Sequence, residues 1–182
     1  MGETHLISEL PVLLNRDLFL RCLIRELAGV LEEVVGYTEA AGYISLVGKN
    51  IGAWINAAYK KELGVTQLTL PQVADVLVDL KARIQGEFSI TDLNDSRIVL
   101  SNTACPFADK VLDRPSMCMM TSNVFGHITS QNLGYAKVVI EKSIAQGNGC
   151  CQVIVYLTAS AESEAAEGRE YFRVDQDAAT ML

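Results

Sequence analysis

Five cysteines, Cys22, Cys105, Cys118, Cys150 and Cys151, carry the least generic chemistry in this 182-residue chain. A thiolate is both a nucleophile and a soft metal ligand, so their placement on the predicted elements matters most. Cys105 lies in a Cys-Pro-Phe loop, Cys118 in the first turn of a predicted helix, and Cys150-Cys151 at the start of a predicted strand. On that helix the apolar stripe is Met117, Met120, Val124 and Ile128, and Cys118 sits at its flank, about 100° from Met117. On the strand, alternation puts Cys151 on one face with Val153, Val155 and Leu157, and Cys150 on the other with Gln152 and Tyr156. Cys105, Cys118 and Cys151 are therefore the candidate metal ligands, and Cys22, on the polar side of the first helix, reads as an isolated surface thiol. The intervals match no short zinc finger or ferredoxin run, so any site is assembled from distant segments. Three soft thiolates with one open position would take zinc, copper(I) or an iron–sulfur cluster. The plain alternative is that all three pack as small core hydrophobes.

Cysteine catalysis needs a base within hydrogen-bond reach. His127 follows Cys118 by nine residues, about 900° around a helix, which puts the two on opposite edges of the stripe. His5 is the other histidine, near the N-terminus. With a metal-bound water as nucleophile, Asp109, Asp113 or Glu141 could act as base, but no spacing selects one. A hydrolase using Cys105 or such a water is thus the alternative to a binding function. Trp54, Tyr59, Met120 and Phe125 are the aromatic and soft residues expected to line an apolar ligand pocket.

The elements that must position these groups can be read from periodicity. Leu20, Leu23, Ile24, Leu27, Leu31 and Val34 recur at helical spacing after the N-cap candidate Asn15, predicting a helix over about 15–35. Tyr43 to Val47 reads as a short turn or strand, followed by a second helix from Val47 to about Gly64, in which Gly48 and Gly52 permit close backbone packing. A third helix follows Thr69 and Pro71, with the stripe Val73, Val76, Leu77, Leu80 and Ile84. Residues 87–102 alternate as a hairpin. Pro115 opens a fourth helix ending near Gly134, and residues 135–144 and 150–157 form a second hairpin around Gly147-Asn148-Gly149. The fold class is α+β: an antiparallel sheet of two hairpins packed against about four helices. Residues 1–158 form one domain, and the acidic segment 159–182 is a linker or tail.

Composition limits what the chain can do. It has 22 acidic and 15 basic residues, net charge −7, and no basic stripe for a phosphate backbone. No apolar stretch is long enough to span hydrocarbon. The start lacks a basic region followed by an apolar one, and Leu6 stands where a myristoylation signal needs Ser or Thr, so a cytoplasmic location is expected.

The segments Ile84-Gln85-Gly86-Glu87-Phe88, Asn102-Thr103-Ala104-Cys105-Pro106-Phe107, Arg114-Pro115-Ser116-Met117-Cys118-Met119-Met120-Thr121 and Gly134-Tyr135-Ala136-Lys137-Val138 resemble the methanogen output domain family. That family is related to the 4-vinyl-reductase-type small-molecule-binding domains, and the resemblance spans about residues 10–158. It implies a sensory or regulatory domain that binds a small ligand or metal and biases a histidine kinase, serine phosphatase or DNA-binding partner. It implies that the family's cysteines correspond to Cys105, Cys118 and Cys151, and His127 departs from the basic residue expected at its position. A similar Cys-Pro loop in thiazoline-carboxylate hydrolases keeps the enzymatic alternative in play. A homodimer mediated by the first helix is the expected assembly.

Overall fold

The computed structural model describes residues 11–174, so the readings at His5 and Leu6, and the acidic segment from residue 175 onward, lie outside the described residues. The Asn15 side chain accepts the Leu18 N–H at 2.9 Å and starts α1 (Arg16–Val35), as its residue type predicts. Gly36, at φ +81°, breaks the chain into α2 (Tyr37–Leu63). This corrects the turn or strand expected over residues 43–47. Those β-branched and aromatic residues are helical because Ala40, Ala41 and Ser45 are buried on the same face, and packing outweighs a propensity of a few tenths of a kcal/mol. α3 (Leu70–Ala82) opens on a capping box formed by Thr69 and Gln72.

The hairpin β1 (Ser89–Asn94) and β2 (Arg97–Asn102) is followed by a loop with two 3₁₀ turns and then α4 (Cys118–Leu133). β3 (Tyr135–Lys142) and β4 (Cys151–Tyr156) make the second hairpin. The hairpins join through antiparallel β2–β4 pairing, in which Leu100 faces Val153 and Ile98 faces Val155. Inside the segment read as an acidic linker, α5 (Ala161–Ala165) and β5 (Arg169–Phe172) are ordered elements, and β5 pairs with β3. The sheet therefore has five strands in the order β1-β2-β4-β3-β5. The charge count misled because the acidic side chains of 159–172 face outward while Ser163 is fully buried and Tyr171 packs against the main core.

One face of the sheet supplies Ile98, Leu100, Val138, Val153 and Val155 to this core, against Val73, Leu77 and Leu80 of α3 and Val124, Phe125 and Ile128 of α4. The other face buries Val99, Val139, Ile154 and Tyr156 beside Ala166. α2 lies on α4, and the two backbones meet at the glycines expected to pack closely. A Cβ on Gly48 would come within 2.9 Å of the Asn123 Cβ, and one on Gly52 within 3.2 Å of the Val124 Cα. Gly126, farther along α4, is crossed by the Tyr171 ring, with which any Cβ would overlap. Gly126→Ala should cost about 2 kcal/mol by overpacking and lower the melting midpoint by about 4–8 °C. In calorimetry the same change on a Tyr171→Ala background should cost much less, because the clashing ring is gone.

α1 departs most from its expected orientation. The residues that face the protein are Arg21, Arg25, Ala28, Gly29 and Glu32, buried or half-buried. Arg25 donates to the Lys110 carbonyl at 2.8 Å and the Leu112 carbonyl at 2.6 Å, and Glu32 accepts from Ser116. Leu20, Leu23, Leu27 and Val34 of the expected core stripe point to solvent instead. Helical period reveals that a helix has two faces, and here hydrogen bonds and small residues decide which one docks. No helix among the described residues is long and apolar enough to cross a membrane.

Candidate functional site

Four elements converge under the Cys-Pro-Phe loop. Cys105 arrives from β2, Cys118 is the first residue of α4, Cys151 the first of β4, and Lys81 lies in the last turn of α3. All four line one small cavity of about 40 Å³, walled by Phe88, Phe107, Val111, Met117, Ile140 and Val153. That is room for roughly three water-sized groups. The three thiols singled out in the sequence are thus brought together from positions 105, 118 and 151. Cys150 and Cys22 are half-buried elsewhere, and His127 faces a separate groove with Lys49 and Tyr171.

Asn102 ties the cavity walls to one another. Buried at the end of β2, its side-chain amide donates to the Gly86 carbonyl at 2.7 Å and to the Ala104 carbonyl, and its Oδ1 accepts the Cys151 N–H at 3.2 Å. One side chain so fixes the approach to Cys105, the start of β4 and the exit from α3. Around it the backbone is strained: Gln85, Glu87, Ala108 and Asp113 all hold positive φ without being glycine. Such residues cost roughly 1–2 kcal/mol each and cluster where the surroundings demand a particular geometry. A bulge in β3 between Ile140 and Lys142 lies beside the same cavity.

Lys81 was not anticipated. It is 6% exposed, follows Leu77 by four residues and so falls on the apolar stripe of α3, a signal that could have found it. Its ammonium donates to Thr121 Oγ1 at 2.8 Å and stands over the rings of Phe88 at 5.5 Å and Phe125 at 5.4 Å. An ammonium has three donors, so two remain for a ligand acceptor. Burial lowers the Lys81 amine to about 8, although the nearby thiols favour its charge. Burial likewise pushes Cys118 up to about 11, with a contribution from the Cys151 charge, and raises Cys105 and Cys151. The resting site therefore holds protonated thiols beside an amine that gives up its proton at mildly alkaline pH. That amine can take the proton of a thiol attacking a carbonyl, a role for which His127, facing its separate groove, is not placed. Among the described residues, no group of three or more His, Cys, Asp or Glu side chains is arranged to hold a metal ion.

The four expected pocket residues do not share a pocket. Phe125 is wholly buried, and its ring meets Phe88 edge-on at 5.6 Å behind the thiol cavity. Met120 lies at the α2–α4 crossing beside Gly48. Trp54, 71% exposed, and Tyr59 line an open groove of about 570 Å³ between α2 and α3, where Tyr59 donates to the Asp79 carboxylate. Their shared helical spacing marked apolar faces, and those faces turn in different directions.

The fold is similar to the crystal structure of a trafficking protein particle complex subunit 3 from Naegleria fowleri covalently bound to palmitic acid. The TM-score is 0.55 at 11% identity, over 86% of this chain and 99% of that one, a likeness of fold alone. No curated protein matches the chain. The family model for methanogen output domain 1 matches residues 23–156, which include Lys81, Asn102 and all three cavity cysteines. On that match, and with an α+β fold that agrees with it, the chain belongs to the methanogen output domain 1 family.

Proposed function

We propose that this signalling output domain responds to a small ligand held at the Lys81, Cys105, Cys118 and Cys151 cavity, and passes its occupancy to an attached or separate signalling module. The observation that carries this reading is the buried Lys81 ammonium, which has donors to spare in a small cavity lined by three thiols. A carboxylate or an acyl carbonyl is the matching chemistry: its oxygen accepts from Lys81 and its carbon stands within the ring of thiols. The fold neighbour carries palmitic acid covalently. By analogy, a thioester on one of these cysteines is the covalent form of the same reading, and a chain longer than a few atoms would need more space than the cavity of about 40 Å³ offers. A ligand shifts the domain only by its unequal affinity for two states, typically 1–3 kcal/mol. The strained Cys105 loop, which packs beneath α1 through Phe107 and Val111, is the element placed to carry that shift.

Intact mass under native and denaturing conditions, with metal and acid-labile sulfide analysis, tests this on protein purified without oxygen. A bound organic mass is expected in the wild type and absent in Lys81→Met and Cys105→Ser. Retention after denaturation with release by neutral hydroxylamine identifies a thioester. Near-stoichiometric zinc or iron that falls in Cys105→Ser, Cys118→Ser and Cys151→Ser would replace this reading with a metal sensor. Unmodified mass, no metal and no ligand protection of the thiols from alkylation would return the cysteines to the core.

A further inference from the structure

The outward face of α1 repeats at alternating steps of three and four residues: Leu20, Leu23, Leu27, Val30, Val34. Their exposures are 47%, 42%, 62%, 55% and 75%, and Phe19 beside them is 55% exposed. Steps averaging 3.5 residues form a straight seam of the kind that meets another helix along its length, whereas a helix resting on a sheet needs a broader stripe. Nothing among the described residues covers this seam, because the opposite face of α1, with Arg25, Ala28 and Glu32, is the one that docks. We infer that α1 pairs with α1 of a second copy of this chain in a parallel, in-register coiled coil.

Three observations select that occupant. First, the seam is self-complementary: a two-fold parallel pairing sets Leu20 on the partner's Leu20 and Leu27 on the partner's Leu27, which fills every layer with a leucine or valine pair. Second, charge sets the direction. One flank of the seam carries Glu26 and Glu33, the other the half-buried Ile24 and Leu31. A parallel pair lays each glutamate flank along the partner's apolar flank, and an antiparallel pair lays the two glutamate flanks against each other. Third, the size fits. The six apolar side chains leave on the order of 600 Å² exposed per chain, close to the roughly 800 Å² per partner of a standard interface and at the upper end of what a monomer ordinarily leaves uncovered. The same helix rests on the loop that carries Cys105, so the dimer seam and the thiol cavity share one support.

The test uses the whole chain. Sedimentation equilibrium at micromolar concentration should give twice the 19.8 kDa chain mass. The double variant Leu23→Glu/Leu27→Glu should give the single mass with an unchanged circular dichroism spectrum, since both side chains point to solvent and neither belongs to the core. Leu20→Cys should form an intermolecular disulfide under mild oxidation well above the wild-type background, because only a parallel register places position 20 on itself. A monomeric wild type, or a dimer that survives the double variant, would overturn the interface. A dimer lost in the double variant whose Leu20→Cys form does not cross-link would overturn the parallel register.

Discussion

Lys81→Met should make this protein more stable at pH 7, by about 2 kcal/mol, while removing its ability to retain a ligand. The amine falls from 10.5 to about 8 on folding, because burial penalises the ammonium more than the surrounding thiols support it. A depression of that size amounts to about 3 kcal/mol of destabilisation while the group is charged in both states, at 1.36 kcal/mol per unit. Methionine fills a similar volume without the charge and forgoes the bond to Thr121, worth about 1 kcal/mol. The sign against pH follows from proton counts. Between pH 8 and 10.5 the unfolded chain holds a proton that the folded chain has lost, so the penalty on the wild type fades as pH rises through that window. Cys118 acts in the opposite sense: its pKa is raised from 9.0 to about 11, and the stability that its neutral thiol contributes is lost as pH rises through that higher range. Thermal melts of both proteins from pH 7 to 10 separate the two, since Cys118 is common to both. The advantage of Lys81→Met, about 4–8 °C at pH 7, should shrink steadily above pH 8. A variant less stable than wild type at pH 7 would mean that the ammonium is held by interactions stronger than one hydroxyl and two rings.

Phe125→Ala should cost about 4 kcal/mol and lower the melting midpoint by roughly 10 °C, whereas Trp54→Ala should change stability by less than about 0.5 kcal/mol. Both aromatics read as pocket candidates from sequence. Phe125 is fully buried in the main core, edge-on to Phe88 and beneath the Lys81 ammonium, so its loss leaves a cavity there. Its loss also removes one of the two rings beneath Lys81, so the variant should lose ligand along with stability. Trp54 is mostly in water at the rim of an open groove. Chemical denaturation of the two variants with urea decides the point. A Trp54→Ala cost approaching that of Phe125→Ala would place the tryptophan in a packed site instead of at the rim.

The local elements were legible because their signals are local. Asn15 and Thr69 cap helices, the glycines at 48 and 52 mark a close helix crossing, and the alternation over residues 87–102 and over 135–144 with 150–157 gives both hairpins. The face assignment of Cys151 held as well, since its neighbours Val153 and Val155 lie in the core while Ile154 and Tyr156 lie on the opposite face. β5 was not legible. A four-residue strand among acidic residues has no period to detect, and only Tyr171, seated over Gly126 and bonded to Ser122 at 2.9 Å, shows why it docks.

By itself, the sequence determined four helices and two hairpins, the family they resemble, and which three thiols stand out, because each of those readings depends on residues close in the chain or on side-chain period. Only the tertiary structure decided that Cys105, Cys118 and Cys151 surround one cavity, that a lysine from a fourth segment stands in its wall, and that α1 turns its leucines away from the core. Period tells how many faces an element has; which face is buried depends on the shape and hydrogen-bonding groups of partners that are distant in sequence.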